Sequence, residues 1–274
     1  MRSFVLSQHL LPQHFLSRCT GLLAKSKIRW MKRFAINTFI RAYDVNMTEA
    51  KLSNPEEYAS FNDFFTRRLQ PGARSINGHV SSPCDGTVSE LGDIDDATVV
   101  QAKNISYSLD QLLATDQVEK YRNGSFITIY LSPRDYHRVH FPVACKLKRT
   151  RYIPGCLFSV NELTTNQVPG LFTKNERLVC ELESDDEPLA LIMVGAMIVA
   201  GIKTVWQTTP YPPSVFCEQN HFDSDQFTQG AELGHFELGS TVILLLKERV
   251  KWQISAGDSV ELGQSLVNRL DDPH

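Results

Sequence analysis

The sequence predicts an α+β fold, a β-rich body with amphipathic helices gathered at its N-terminus. Three observations carry that prediction. Residues 1–43 hold eight Lys or Arg and no acid, with apolar residues at helical spacing. From Val80 onward, short runs rich in apolar and β-branched residues are punctuated by turn residues. The most apolar segment, Leu189 to Ile202, has only fourteen residues of apolar side chains and glycine. A membrane-spanning helix needs about 18 or more, and Gly195 and Gly201 point instead to two strands with a break.

In chain order, the first segment shows one apolar series at Leu6, Leu10, Phe15, Leu16, Leu22 and Leu23. A second runs through Ile28, Met31, Ala35, Phe39 and Ala42, flanked by Trp30 and Phe34. Pro12 and Gly21 are expected to divide the segment into two or three helices. A basic amphipathic stretch with Trp and Phe fits a helix lying in a membrane interface, each cation adding about 1 kcal/mol near an anionic leaflet. The alternative is a helical hairpin packed on its own domain with a solvated basic rim. Residues 44–79 read as a helical connector, with short helices at Glu56 to Tyr58 and around Phe61 to Phe65. Residues 80–274 form the β-rich domain. Its strand candidates are Val88 to Leu91, Phe126 to Leu131, Leu147 to Ile153, Leu178 to Leu182, the two halves of 189–202, and Val242 to Leu246. Leu109 to Ala114 reads as a short helix, and Gln219 to Gly230 as part of a long, mobile loop.

Composition narrows the functional classes. With 42% hydrophobic and 22% charged residues the chain is globular. A net charge of −3 and the lack of any recognition motif argue against nucleic acid as a partner. The six cysteines lack the spacing of a metal site or a disulfide scaffold, so reduced thiols are expected and a metal is not. The N-terminus has no compact apolar core followed by a small-residue cleavage site. The chain is therefore expected to stay in the cytoplasm or, if the basic helices dock, peripherally on the cytoplasmic side of the cell membrane.

One stretch stands out chemically. Leu238-Gly239-Ser240-Thr241 leads directly into the apolar run Val242 to Leu246. Gly239 carries no side chain to shield its carbonyl, and the Ser240 hydroxyl follows it. A serine there is either a plain strand-entry residue or a nucleophile placed to attack its own backbone. Two further blocks accompany it: Pro83-Cys84-Asp85-Gly86, and the eleven residues from Tyr130 to His140, YLSPRDYHRVH. In this order the three blocks resemble the phosphatidylserine decarboxylase family of bacterial, pyruvoyl-dependent, self-processing enzymes. The resemblance spans Ser3 to about Val267. Cys84 stands where the family often has alanine, and the segment from about Pro210 to Gly234 is shorter than in the relatives it resembles.

The resemblance implies a specific chemistry. Ser240 would attack the Gly239 carbonyl with His140 as base, and Asp85 would hold the far ring nitrogen of His140. Cleavage between Gly239 and Ser240 would leave a large chain (1–239) and a small chain (240–274) capped by pyruvate, a covalent pyruvoyl group derived from Ser240. That ketone would form a Schiff base with phosphatidylserine and act as the electron sink for decarboxylation to phosphatidylethanolamine. His137 is the candidate for positioning the substrate carboxylate or donating a proton, a turn at Pro133 to Asp135 allowing it to converge with His140. Arg134 and Arg138 are candidates for the substrate phosphate, or else surface charges or structural pairs. Expected partners are an anionic membrane surface and the heterodimer of the two chains, with homo-oligomers of that pair left open. Two other readings remain: a Ser240-His140-Asp85 hydrolase without self-cleavage, and a non-catalytic membrane-docking module.

Overall fold

The computed structural model describes residues 13–102, 105–185, 187–197, 201–212, 214–221, 225–237 and 240–267. Helix α1 (Gln13–Ala24) and helix α2 (Arg29–Tyr43) form the N-terminal pair. Gly21 lies inside α1 rather than ending it, and the break falls at 25–28 instead. A single glycine costs a helix only about 1 kcal/mol, too little to stop one that is otherwise supported. Among the described residues no helix is long and apolar enough to cross a membrane.

The connector holds a 3₁₀ turn (Pro55–Glu57) and helix α3 (Phe61–Phe65). Each has a side-chain cap: Asn54 accepts from the Glu56 N–H, and Ser60 from the Asp63 N–H. Ile36 of α2 is fully buried in a cluster with Val45, Tyr58 and Phe64, and Phe39 meets Phe61, Phe64 and Phe65 edge-on. The aromatic connector thus determines which face of α2 is covered. Leu22, Leu23, Ile28, Trp30 and Phe34 stay exposed.

The body opens with β1 (Val80–Ser81), β2 (Gly86–Asp93), the hairpin β3 (Thr98–Ala102) and β4 (Ile105–Ser108), and helix α4 (Leu109–Leu113). Next come β5 (Ser125–Leu131), β6 (Arg138–His140), β7 (Cys145–Ile153), and short helices α5 (Glu162–Thr165) and α6 (Leu171–Lys174). The remaining strands are β8 (Arg177–Ser184), β9 (Glu187–Gly195), β10 (Ile202–Thr204), β11 (Cys217–Asn220), β12 (Gln226–Phe227), β13 (Glu232–Phe236), β14 (Ser240–Leu246), β15 (Ser259–Val260) and β16 (Ser265–Val267). The large antiparallel sheet runs β11-β7-β8-β9-β14-β5-β2-β15, with β12 also on β7. A smaller sheet runs β10-β13-β6.

Strand β14 sits between β5 and β9, and all seven of its residues are buried. Successive side chains point to opposite faces. Val242 and Leu244 therefore join Ile129, Leu131, Leu191 and Met193 under the small sheet, which contributes Val139, Ile202, Leu233 and Phe236. Ile243 and Leu245 face the other way, toward Leu109, Leu112, Tyr107 and Phe172. A strand covered on both faces has no polar alternation, which is why 242–246 is continuously apolar.

The predicted long loop is not all loop. Cys217–Asn220 and Gln226–Phe227 both pair with β7. Their polar composition concealed them, because an edge strand with an exposed rim needs no apolar pattern. The break inside 189–202 falls between β9 and β10 as expected.

Candidate active site

Ser240 is the first residue of β14, directly opposite Leu131 on one side and Gly195 on the other. It is 0% exposed, and its Oγ has no hydrogen-bond partner among the described residues. A buried hydroxyl left unpaired costs about 1–3 kcal/mol, a state that Ser240 shares with its neighbour Thr241. The expected scissile partner Gly239 lies, with Leu238, outside the described residues. The approach to Ser240 is anchored at Glu237, whose buried carboxylate pairs with Lys25 from the end of α1 at 2.8 Å.

His140 closes β6. Its Nδ1–H donates to the Gly230 carbonyl at 2.9 Å, which leaves the Nε2 lone pair to accept from the Tyr136 hydroxyl at 3.1 Å. Burial lowers its pKa, and the Gly230 carbonyl, Glu232 and Asp85 offset part of that shift. The imidazole is accordingly neutral at pH 7, with Nε2 as its basic nitrogen.

Asp85 follows buried Cys84, and its backbone lies beside His140, whose N–H donates to the Pro83 carbonyl at 2.8 Å. Gly86 is required here, since a Cβ would sit 2.5 Å from the Tyr130 carbonyl oxygen. Asp85 does not bond the far ring nitrogen of His140, as the sequence reading expected. Its Oδ1 accepts from the Leu262 N–H at 2.7 Å and its Oδ2 from Arg74 at 3.1 Å. The pairing of β6 with β13 brings Gly230 to Nδ1 first, while the Arg74 guanidinium draws the carboxylate away. Nor does His140 bond Ser240. Their neighbours Cys84, Val139 and Val242 belong to one apolar core, and each of Asp85, His140 and Ser240 has other partners, or none, among the described residues.

His137 takes a different position. The turn runs from Ser132 to Asp135, closed by Asp135 N–H to the Ser132 carbonyl, and ends before His137. Because Arg138–His140 is strand, the two imidazoles make separate contacts. The His137 ring stacks on Phe65, centroids 4.1 Å apart, and is fully buried. Burial, with the nearby Arg67 charge, pushes its pKa down to about 3. Its carbonyl accepts from the Phe236 N–H, which places it beside the strand leading to Ser240. Arg138, a phosphate candidate, is committed elsewhere: it donates to the Thr66 carbonyl at 2.7 Å and pairs with Glu232. Arg134 remains largely exposed.

Sequence reasoning missed Tyr136, Gly230, Arg74 and Glu176. Tyr136 was visible inside the Tyr130 to His140 block. Glu176 carried no signal beyond a lone charge at a strand entrance. It is 2% exposed, receives a hydrogen bond from the Tyr152 hydroxyl at 2.9 Å, and burial pushes its pKa up to about 7. Among the described residues no group of three His, Cys, Asp or Glu is placed to hold a metal.

A buried serine at the entrance of a central strand, with a neutral histidine and a held aspartate flanking the same core, makes this the candidate for a serine-centred chemical site on a β-rich scaffold. The model of the phosphatidylserine decarboxylase family matches residues 61–268, and a second, described as PSD, matches 3–44. A phosphatidylserine decarboxylase proenzyme of Saccharophagus degradans is 46% identical over 275 residues, covering 96% of each chain. Proenzymes of the same name from Pseudomonas putida and Azotobacter vinelandii are 45% and 44% identical, covering 97% of each chain. The chain belongs to the phosphatidylserine decarboxylase family.

Proposed function

We propose that this chain is a proenzyme that cuts itself between Gly239 and Ser240 and then converts phosphatidylserine to phosphatidylethanolamine. The observation that carries this reading is the match to decarboxylase proenzymes along nearly the whole chain, with Ser240 fully buried at the head of β14. The hydrolase and docking-module readings have no comparable support.

In the self-cleavage step, His140 Nε2 takes the Ser240 Oγ proton as Oγ attacks the preceding carbonyl, and returns it to the departing amide nitrogen. For that transfer the hydroxyl must come within about 2.6–3.2 Å of Nε2, so Tyr136 gives up its bond there. The Gly230 carbonyl holds the tautomer and, with the nearby Asp85 charge, favours the transient imidazolium. Asp85 acts through its field and through Leu262, a bond that ties the large chain to the small one.

The residues around position 240 suit a pyruvoyl group: the Oγ is unbonded among the described residues, and the facing residue on β9 is a glycine. Once formed, that group supplies the carbonyl that an amino-acid head group condenses with and the sink for the electrons released with CO₂. Neutral, fully buried His137 suits a donor to the substrate carboxylate or to the carbon that loses CO₂. The small chain stays in place after cutting, because β14, β15 and β16 pair with β5, β9, β2 and β1 of the large chain. Burying the five apolar residues of β14 contributes, at about 1.5–3 kcal/mol each, on the order of 10 kcal/mol.

Access to a lipid substrate follows from the N-terminal helices. Trp30 and Phe34 are 72% and 70% exposed, among the exposed cations Lys27, Arg29 and Arg33. This suits peripheral docking on an anionic cytoplasmic leaflet. Intact mass is the test: wild type should give chains 1–239 and 240–274, the latter carrying a borohydride-reducible carbonyl. Ser240→Ala should remain one chain, and cutting by that variant would refute the assignment.

A further inference from the structure

Glu176 has no part in the steps above, yet it lies in the same row of the sheet as Ser240. The Gly195 N–H donates to the Glu176 carbonyl at 2.9 Å, and Gly195 is the β9 residue directly opposite Ser240. Directly opposed residues of antiparallel strands share a face, with Cβ positions about 4.5–5.5 Å apart. The Glu176 side chain covers the place where Gly195 would carry its Cβ, Oε1 lying 2.9 Å from that point. The carboxyl therefore reaches over a glycine gap toward position 240. Oε2 is held by the Tyr152 hydroxyl, which fixes the carboxyl's direction. The titratable groups facing it are Tyr152 from β7, Tyr211 stacked on Tyr152 at 5.2 Å, and Cys180 of β8 beside Tyr211.

We infer that Glu176 is the base that takes the proton from the ammonium of the substrate head group as that amine is presented at position 240. An N–H bond of the ammonium breaks, an O–H bond forms on Glu176, and a neutral amine and a neutral carboxylic acid result. Both products suit the apolar face formed by Leu131, Met193 and Val242 better than the two ions do. A buried carboxyl pushed up to about 7 is ionised in part at neutral pH, so it can accept this proton and later release it. The inference rests on the proposed decarboxylase reading.

The test uses self-processed, full-length protein. Short-chain phosphatidylserine is trapped on the small chain with cyanoborohydride, which reduces the iminium and spares the free ketone, at pH 5.5–9, and adduct is read by mass per hydroxylamine-reactive small chain. Hydroxylamine is unprotonated at neutral pH and needs no base, so its labelling counts competent carbonyls. In wild type the trapping rate should rise with pH through about 7 and then level. Glu176→Gln should trap at least about ten-fold more slowly, with that inflection lost. Tyr152→Phe removes the bond that favours the charged carboxylate, so it should move the inflection to higher pH. Equal trapping rates and pH profiles in wild type and Glu176→Gln would overturn the inference, as would an inflection that Tyr152→Phe leaves in place. A wild-type small chain inert to hydroxylamine would instead overturn the decarboxylase reading itself.

Discussion

Replacing Glu176 by glutamine should change how stability depends on pH, by an amount the structure supplies. Burial raises this carboxyl's pKa from 4.5 to about 7, with the Tyr152 hydroxyl opposing the shift. Between those values the folded chain holds a proton that the unfolded chain releases, so stability falls as pH rises through the window. At about 1.36 kcal/mol per pKa unit, the loss between pH 4.5 and 8 is about 3 kcal/mol. Glutamine has nearly the same shape, can accept the Tyr152 hydrogen bond, and does not titrate. Both proteins should carry Ser240→Ala, so that unfolding involves one uncut chain and the other titrating groups cancel in the difference. Urea unfolding at pH 5 and pH 8.5 is the assay. The glutamine chain should gain on its parent by about 2.5 kcal/mol across that interval. A difference that stays constant with pH would mean that Glu176 is not a buried carboxylate above pH 7, and would remove the basis for its proposed role as a base.

Three further outcomes follow from the geometry. His140→Ala should slow self-cleavage by about 10²–10⁴, followed as uncut chain on a gel. Because the base works as the neutral imidazole and burial lowers its pKa, wild-type cutting should be flat around neutrality and decline only in acid, below the ordinary histidine range. Gly195→Ala places a Cβ 2.8 Å from the Glu176 Cγ; the overpacking should cost about 1–3 kcal/mol and lower Tm. Trp30→Ser with Phe34→Ser leaves buried Ile36 in place, so the chain should fold while binding anionic vesicles at least about ten-fold more weakly in co-sedimentation.

Much of this site was legible from residues alone, and the illegible part has a common cause. Asp85, His140 and Ser240 stand in blocks whose order carries the family, and Ser240 indeed opens a fully buried strand. The apolar run after it, the break at Gly195 and the aromatic connector were all readable, because local spacing and turn residues report on local structure. The strands Cys217–Asn220 and Gln226–Phe227 were hidden, since an edge strand keeps a polar rim. Gly21 was read as a helix end, although a glycine in mid-helix carries too small a penalty to stop one.

By itself the sequence determined which segments are buried strands, from residue type and short-range pattern, and it named the candidate side chains for chemistry through the order of three motif blocks. Only the tertiary structure decided what those side chains touch. The Gly230 carbonyl rather than Asp85 holds Nδ1 of His140, and Arg74 and the Leu262 N–H hold Asp85. Glu176 reaches the row of Ser240 because β8, β9 and β14 pair in one particular register across a glycine. Those contacts join residues from 11 to 177 positions apart. Strand register and charge pairing settle them, and neither is written in any one stretch of the chain.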